Sequence, residues 1–98
     1  MKLFKKKQFT LDMGFSRKEF LSLLENQNKL VYKRDENLII FTVADQQARL
    51  SLGHEGTHKV SSTRLPMLPV SFDFSTMDDE KQAQFMDVFL LKFLRGGG

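Results

Sequence analysis

The sequence has no cysteine and no tryptophan, and it has only one tyrosine and two prolines. The lack of cysteine excludes a disulfide framework, a thiolate metal site and a cysteine nucleophile. A chain of 98 residues needs no disulfide for stability, because a domain of that size buries roughly two-thirds of the surface of its unfolded chain. Since a chain without disulfides fits a reducing compartment, we predict a cytoplasmic protein.

Long apolar runs are lacking as well. The basic start, MKLFKKKQFTLDM, is not followed by the apolar run of a signal peptide. No other segment approaches the length that a membrane-spanning helix needs. We therefore expect no membrane insertion.

Catalytic motifs are scarce: the sequence has no nucleophile elbow, no phosphate-binding glycine loop and no spaced pair of carboxylates. One string, His54-Glu55-Gly56-Thr57-His58, matches the H-E-x-x-H motif of zinc proteases. That chemistry needs a helix, which places both imidazoles on one side of the metal. The glycines and the strand pattern before the string predict extended chain instead, with the two histidines roughly 13 Å apart. We predict no enzyme, with no catalytic residue, no metal site and no cofactor.

The net charge of +3 is concentrated at the start of the chain. Four of the fifteen basic residues lie within the first seven positions, namely Lys2, Lys5, Lys6 and Lys7. The rest of the chain has eleven basic and twelve acidic residues, so its net charge is minus one. We interpret residues 1–7 as a flexible basic arm, which mainly aids solubility but could also contact phosphates without sequence preference.

The C-terminal third contains the clearest change of period. Residues 68–74 alternate apolar and polar side chains as a strand does, and the helical period then continues to Arg95. Ser75 and Thr76 are candidate caps, and Gly96 is a candidate helix stop. One broad face of this helix is apolar and consists of Ala83, Phe85, Met86, Phe89, Leu90, Phe93 and Leu94.

The preceding chain predicts one helix and several strands. A strand is expected at 8–13, and a capping box of Ser16 and Glu19 starts a helix that ends near Asn26. Three further strands are predicted over the ranges 29–34, 37–44 and 48–53. Residues 53–67 read as a long loop that has room for one short strand near 59–62. The domain is thus predicted to cover 8–95, followed by a flexible glycine tail at 96–98.

The predicted order is β-α-β-β-β-β-α, which indicates an α+β fold with an antiparallel sheet. This order resembles that of TATA-binding-protein-like and helix-grip domains. The resemblance implies a curved sheet packed on the C-terminal helix. Its helix-grip form also implies a place for a small apolar ligand between sheet and helix, which is one alternative function.

Two apolar clusters fall outside the predicted core. Val88 and Leu91 lie on the side of the last helix opposite its main apolar face. Val31, Leu38 and Ile40 share the outer side of the sheet, where Lys33 and Arg49 border them. Such clusters favour a homodimer or another protein partner, so we predict a non-enzymatic interaction domain. Nucleic-acid binding through the lysine arm is a weaker alternative, because the strand aromatics fall on the core side and cannot stack bases.

Overall fold

The computed structural model describes the backbone of residues 6–97 and the side chains of residues 6–59 and 61–93. The elements in this range are β1 Gln8–Met13, α1 Arg17–Asn26, β2 Val31–Asp35, β3 Leu38–Val43, β4 Gln46–Leu52, β5 Gly56–Val60, β6 Thr63–Asp73 and α2 Asp79–Gly97. The strands are antiparallel in the order β1-β6-β4-β3-β2, and β5 pairs with β6. The predicted α+β class with a C-terminal helix is confirmed, with one strand more than predicted.

The extra strand arises in residues 53–67, where a long loop was the main prediction. This prediction is wrong, because β5 and the start of β6 form a hairpin in which Gly56 pairs with Met67 and Val60 with Thr63. The residues from 53 to 65 with described side chains are all exposed. A two-stranded ribbon exposed to solvent on both faces needs no alternation of apolar and polar residues. That alternation is the pattern by which a strand is predicted from sequence. We call residues 56–67 the β5–β6 arm.

Both helices pack on one face of the sheet through aromatic side chains. The ring of Phe41 on β3 lies 5.0 Å from that of Phe85, and Phe72 on β6 lies 5.2 Å from Phe89. Helix α1 joins this layer through Phe20, whose ring is 5.0 Å from Phe93. These side chains are at most 2% exposed, so the rings form the centre of the core.

One position of the predicted apolar face of α2 is wrong. Ala83 is exposed, and the neighbouring Gln82 is 2% exposed. The amide of Gln82 can be buried because it donates to the carbonyl of Lys6 at 2.8 Å and accepts from Lys7 at 3.0 Å. The predicted Leu94 contact lies outside the described side chains.

The helix starts differ in how well the sequence predicts them. The capping box of α1 is present, since Ser16 accepts from the Glu19 N–H and Glu19 accepts from the Ser16 N–H. At α2 the cap is Asp78, which accepts from the Lys81 N–H at 2.7 Å, and the predicted capping by Ser75 or Thr76 is wrong. The chain makes one further turn before the helix, because Met77 is buried at 3% exposure and bonds back to Phe74.

The end of α2 also differs from the prediction. The helix runs to Gly97 and therefore includes Gly96, at which the sequence pattern ended it. A glycine is tolerated in a last helical turn because its N–H still bonds to the preceding turn, at a cost of about 1 kcal/mol. Gly98 lies outside the described residues.

Three hairpin turns carry a positive φ at a residue other than glycine, and Ala44 between β3 and β4 is one of them, at 58°. We predict that Ala44→Gly raises the free energy of unfolding by about 1 kcal/mol, because glycine adopts this conformation without the steric cost of Cβ. Urea denaturation measures the change. Ala48→Gly, in the buried middle of β4, is the matched control and lowers stability; a loss at Ala44 too would contradict the prediction.

The start of α2 predicts a dependence on pH. Hydrogen bonds from the Gln46 side chain and then from the Lys81 N–H hold the pKa of Asp78 below its ordinary value of 3.8. Because the folded pKa is the lower one, this contribution is complete above 3.8 and is lost as the pH falls through the folded value. We expect Asp78→Asn to be less stable than the wild type at pH 7, with a smaller difference in acid.

Urea midpoints of both proteins at neutral and acid pH measure this difference. Asp87→Asn, an exposed carboxylate on the same helix, is the control and should change the midpoint little. A difference for Asp78→Asn that stays constant or grows in acid would disprove the assignment.

Candidate interaction surface

In the part of the chain that the structure describes, no helix packs on the outer face of the sheet. Strand register brings one row of outer side chains together across five of the six strands, namely Gln8, Asp73, Arg49, Ile40 and Lys33. The half of the face formed by β1 and β6 is polar, and the Thr10 and Ser71 hydroxyls are hydrogen-bonded at 2.9 Å. Val31, Leu38 and Ile40 lie in the half formed by β2 and β3, while Pro69 is an apolar exception on β6.

This apolar half contains the first predicted cluster. Val31 is 72% exposed, and Leu38 and Ile40 are half-buried. Val31 pairs with Thr42, so it is the diagonal neighbour of Ile40, close enough for contact between side chains. The three side chains therefore share one face, as the alternation of the strands predicts.

The two predicted basic neighbours flank this cluster. Arg49 and Lys33 lie on either side of Ile40, one on β4 and one on β2. Arg49 also pairs across the strands with Asp73. Hydrogen bonds from the Ser75 hydroxyl and N–H lower the pKa of Asp73, and the positive charge of Arg49 adds to the effect. The Arg49 charge is thus partly balanced within the face.

The second predicted cluster, Val88 and Leu91, lies on α2 near the edge of the sheet that β2 forms. Val88 is half-buried and lines a groove of about 340 Å³ together with Leu30, Val31 and Val43. Lys29 and Gln84 are among the polar side chains of its rim. Leu91, one turn further along α2, is 56% exposed. We call this feature the β2 groove, since it lies where β2 begins.

The β2 groove joins two clusters that sequence reasoning treats as separate. Val31 belongs to both, because it is exposed on the outer face and also lines the groove. Local periodicity shows which side of its own element a residue occupies, but not which edge of the sheet α2 lies against. One apolar band therefore runs from Leu91 through Val88 and Val31 to Ile40.

The last residue of the predicted basic arm, Lys7, is bonded to the rest of the domain. Lys7 donates to the carbonyl of Met77 at 2.6 Å and forms an ion pair with Asp79 at 3.0 Å. The Lys7 carbonyl accepts from the Phe74 N–H at 2.6 Å. Lys7 is thus engaged at the start of α2 rather than free for phosphates, while Lys2 and Lys5 lie outside the described residues.

The H-E-x-x-H string lies in extended chain, as its glycines predict. Gly56–His58 is part of β5, so the helical geometry of a zinc site is not formed. Glu55 accepts from the backbone N–H of Arg17 at 2.7 Å and so caps the start of α1. Among the residues that the structure describes, no three histidine, aspartate or glutamate side chains are grouped to hold a metal ion.

Aromatic rings occupy the space in which a ligand between sheet and helix would lie. Phe9 stacks on Phe72 at 5.0 Å, and Phe89 stacks on Phe93 at 4.4 Å. The ring of Phe41 also lies 5.0 Å from that of Phe85. This packing argues against the helix-grip type of ligand site.

Comparisons with known proteins add no relative. No protein-family model matches the chain, and neither the curated proteins nor the solved structures give a significant match. Within residues 6–97, neither helix has both the length and the apolar character to span a bilayer. Function must therefore be argued from the surface itself.

The bond between Gln82 and the N-terminal segment predicts a stability effect. Gln82→Ala should lower the free energy of unfolding by about 2 kcal/mol, because it removes a buried side chain and leaves the Lys6 carbonyl without this donor. Gln84→Ala, an exposed glutamine on the same helix, should change it by less than about 0.5 kcal/mol. Equal effects of the two substitutions in urea denaturation would show that the buried amide contributes nothing.

Proposed function

We propose that this chain is a non-enzymatic interaction domain that forms a homodimer through the outer face of its sheet. The observation that carries this proposal is the exposure of Val31, 72%, in the middle of an apolar band. A single exposed apolar side chain is ordinary on a protein surface. A band that continues over two elements and lines a groove is typical of an interface.

The distribution of polarity on the outer face supports this choice. The β1–β6 half shows that the sheet tolerates serine, threonine and aspartate at outer positions. Nothing in the fold thus requires Val31, Leu38 and Ile40 to be apolar. Burying them against a second copy would gain roughly 1 kcal/mol or more for each side chain.

Charged side chains lie beside the band and bear on how two copies can be oriented. Lys33 and Arg49 border the apolar cluster, while Asp12 and Asp73 lie on the other half of the same face. Charges at the rim of an apolar contact stay in water, so they favour one orientation of two copies over others more than they add affinity.

The two alternatives have less support. A small apolar ligand would need the space that the phenylalanine rings fill. Nucleic-acid binding would rely on the lysine arm, in which Lys7 already bonds to Met77 and Asp79. We expect the dimer to act in the cytoplasm, a prediction that rests on the missing cysteines.

The proposal is tested by measuring mass in solution. Sedimentation equilibrium of the wild type over a range of concentrations should show a monomer and dimer in exchange. Val31→Lys should weaken the dimer at least about tenfold, because it places a charge in an apolar contact. Thermal unfolding of the variant confirms that the fold is kept.

The matched control is Ser22→Lys, which adds the same charge on an exposed position of α1, away from the outer face. It should leave the dissociation constant unchanged. A wild type that remains monomeric at every concentration, or a dimer that both lysine substitutions weaken equally, would refute the proposal.

A further inference from the structure

The β5–β6 arm projects from the end of the sheet opposite to the β2 groove. The domain measures 45 × 28 × 21 Å along its principal axes. Within the described residues β5 pairs with β6 alone, so the arm is a two-stranded ribbon. Two strands without a further layer are marginally stable in water. The arm would therefore gain stability from a contact.

The two faces of the arm differ in chemistry. Lys59 lies opposite Arg64 on one face, and His58 lies opposite Leu65 on the other. Like charges directly opposite each other destabilise a ribbon, so the Lys59 face is better left in water. Leu65 is 47% exposed, and it is one of only three large apolar side chains in the described part of the chain with high exposure.

The strand alternation gives the direction in which Leu65 points. Along β6, residues 65 and 67 are in phase with Ser71 and Asp73, which lie on the outer face of the sheet. Val31 and Ile40 lie on that same outer side. Leu65 and the apolar band thus face the same way at opposite corners of the domain.

The apolar cluster alone is smaller than the interface of a stable dimer, so a dimer would need an additional contact. Val31, Leu38 and Ile40 together offer roughly 300 Å² at most, at about 100 Å² for each side chain. A stable interface buries about 800 Å² on each partner. Among the residues with described side chains, the longest exposed stretch is 53–65, most of which belongs to the arm.

We infer that Leu65 of each arm docks into the β2 groove of a second copy of this chain, so that the two subunits exchange arms. This inference rests on the proposed homodimer and names its contacts. A two-fold axis in the interface, midway between arm and groove, places the arm of each subunit on the groove of the other. The groove has an apolar lining of Leu30, Val31 and Val88, which suits a leucine side chain.

Cysteine cross-linking tests this contact, because the natural chain contains no cysteine that could interfere. Leu65→Cys and Val31→Cys are made as separate variants with different tags, then mixed and oxidised mildly. The expected main product is the mixed dimer, with one subunit of each variant. Ser22→Cys, exposed on α1, is the control and should cross-link only at background level with either partner.

A second measurement does not depend on disulfide geometry. Leu65→Ser should weaken the dimer about tenfold in sedimentation equilibrium. Lys59→Ser, on the opposite face of the arm, should leave the dissociation constant within about twofold of that of the wild type.

The outcomes separate this inference from the proposed function. A wild-type dimer that Val31→Lys weakens but Leu65→Ser does not, with no excess of the mixed cross-link, overturns the arm exchange and keeps the dimer. A wild type that stays monomeric overturns both. A mixed cross-link with weakening by Leu65→Ser supports both.

Discussion

The packing of phenylalanine rings between the sheet and α2 is the interaction on which the remaining structure depends. Phe89 is at its centre, with ring contacts to Phe20, Phe41, Phe72, Phe85 and Phe93 at 4.4 to 6.5 Å. These rings come from both helices and from two strands of the sheet, so a single layer ties the elements together. Because both helices are committed to this one face, the opposite face has no cover from the described chain. The exposed surface is therefore a consequence of where the core formed.

A polar contact fixes the start of α2 over this layer. Gln82 is almost completely buried, yet its amide bonds to Lys6 and Lys7 in the segment before β1. Lys7 brings a positive charge to a helix start, where the dipole disfavours it, and Asp79 offsets that charge at 3.0 Å. These bonds thus join the N-terminal segment to the start of α2. This arrangement explains why part of the lysine arm has a structural role.

Sequence reasoning succeeded where a local pattern and its burial agree. The capping box at Ser16 and the alternation of 8–13 are examples, because each needs contacts only within its element or with one core face. It failed at Ala83 and Gln82, since burial of the glutamine depends on a partner about 75 residues away. It failed again in 53–67, where a ribbon exposed on both faces shows no apolar alternation. The β2 groove was not predictable for a related reason, as it joins Val31 and Val88 from distant parts of the chain.

The contrast within the outer face is the strongest reason to regard its apolar half as functional. A sheet covered on one side needs no particular chemistry on the other, and the β1–β6 half accordingly has Thr10 and Ser71 bonded through their hydroxyls. If the apolar residues served only strand propensity, threonine would serve as well, since it is also β-branched. Val31 instead lines the β2 groove with Ile40 as its diagonal neighbour, and the exposed Leu65 lies in the β5–β6 arm at the opposite end of the sheet. Apolar side chains placed at both ends of a polar face are the pattern that two copies, each lying over the other, would need.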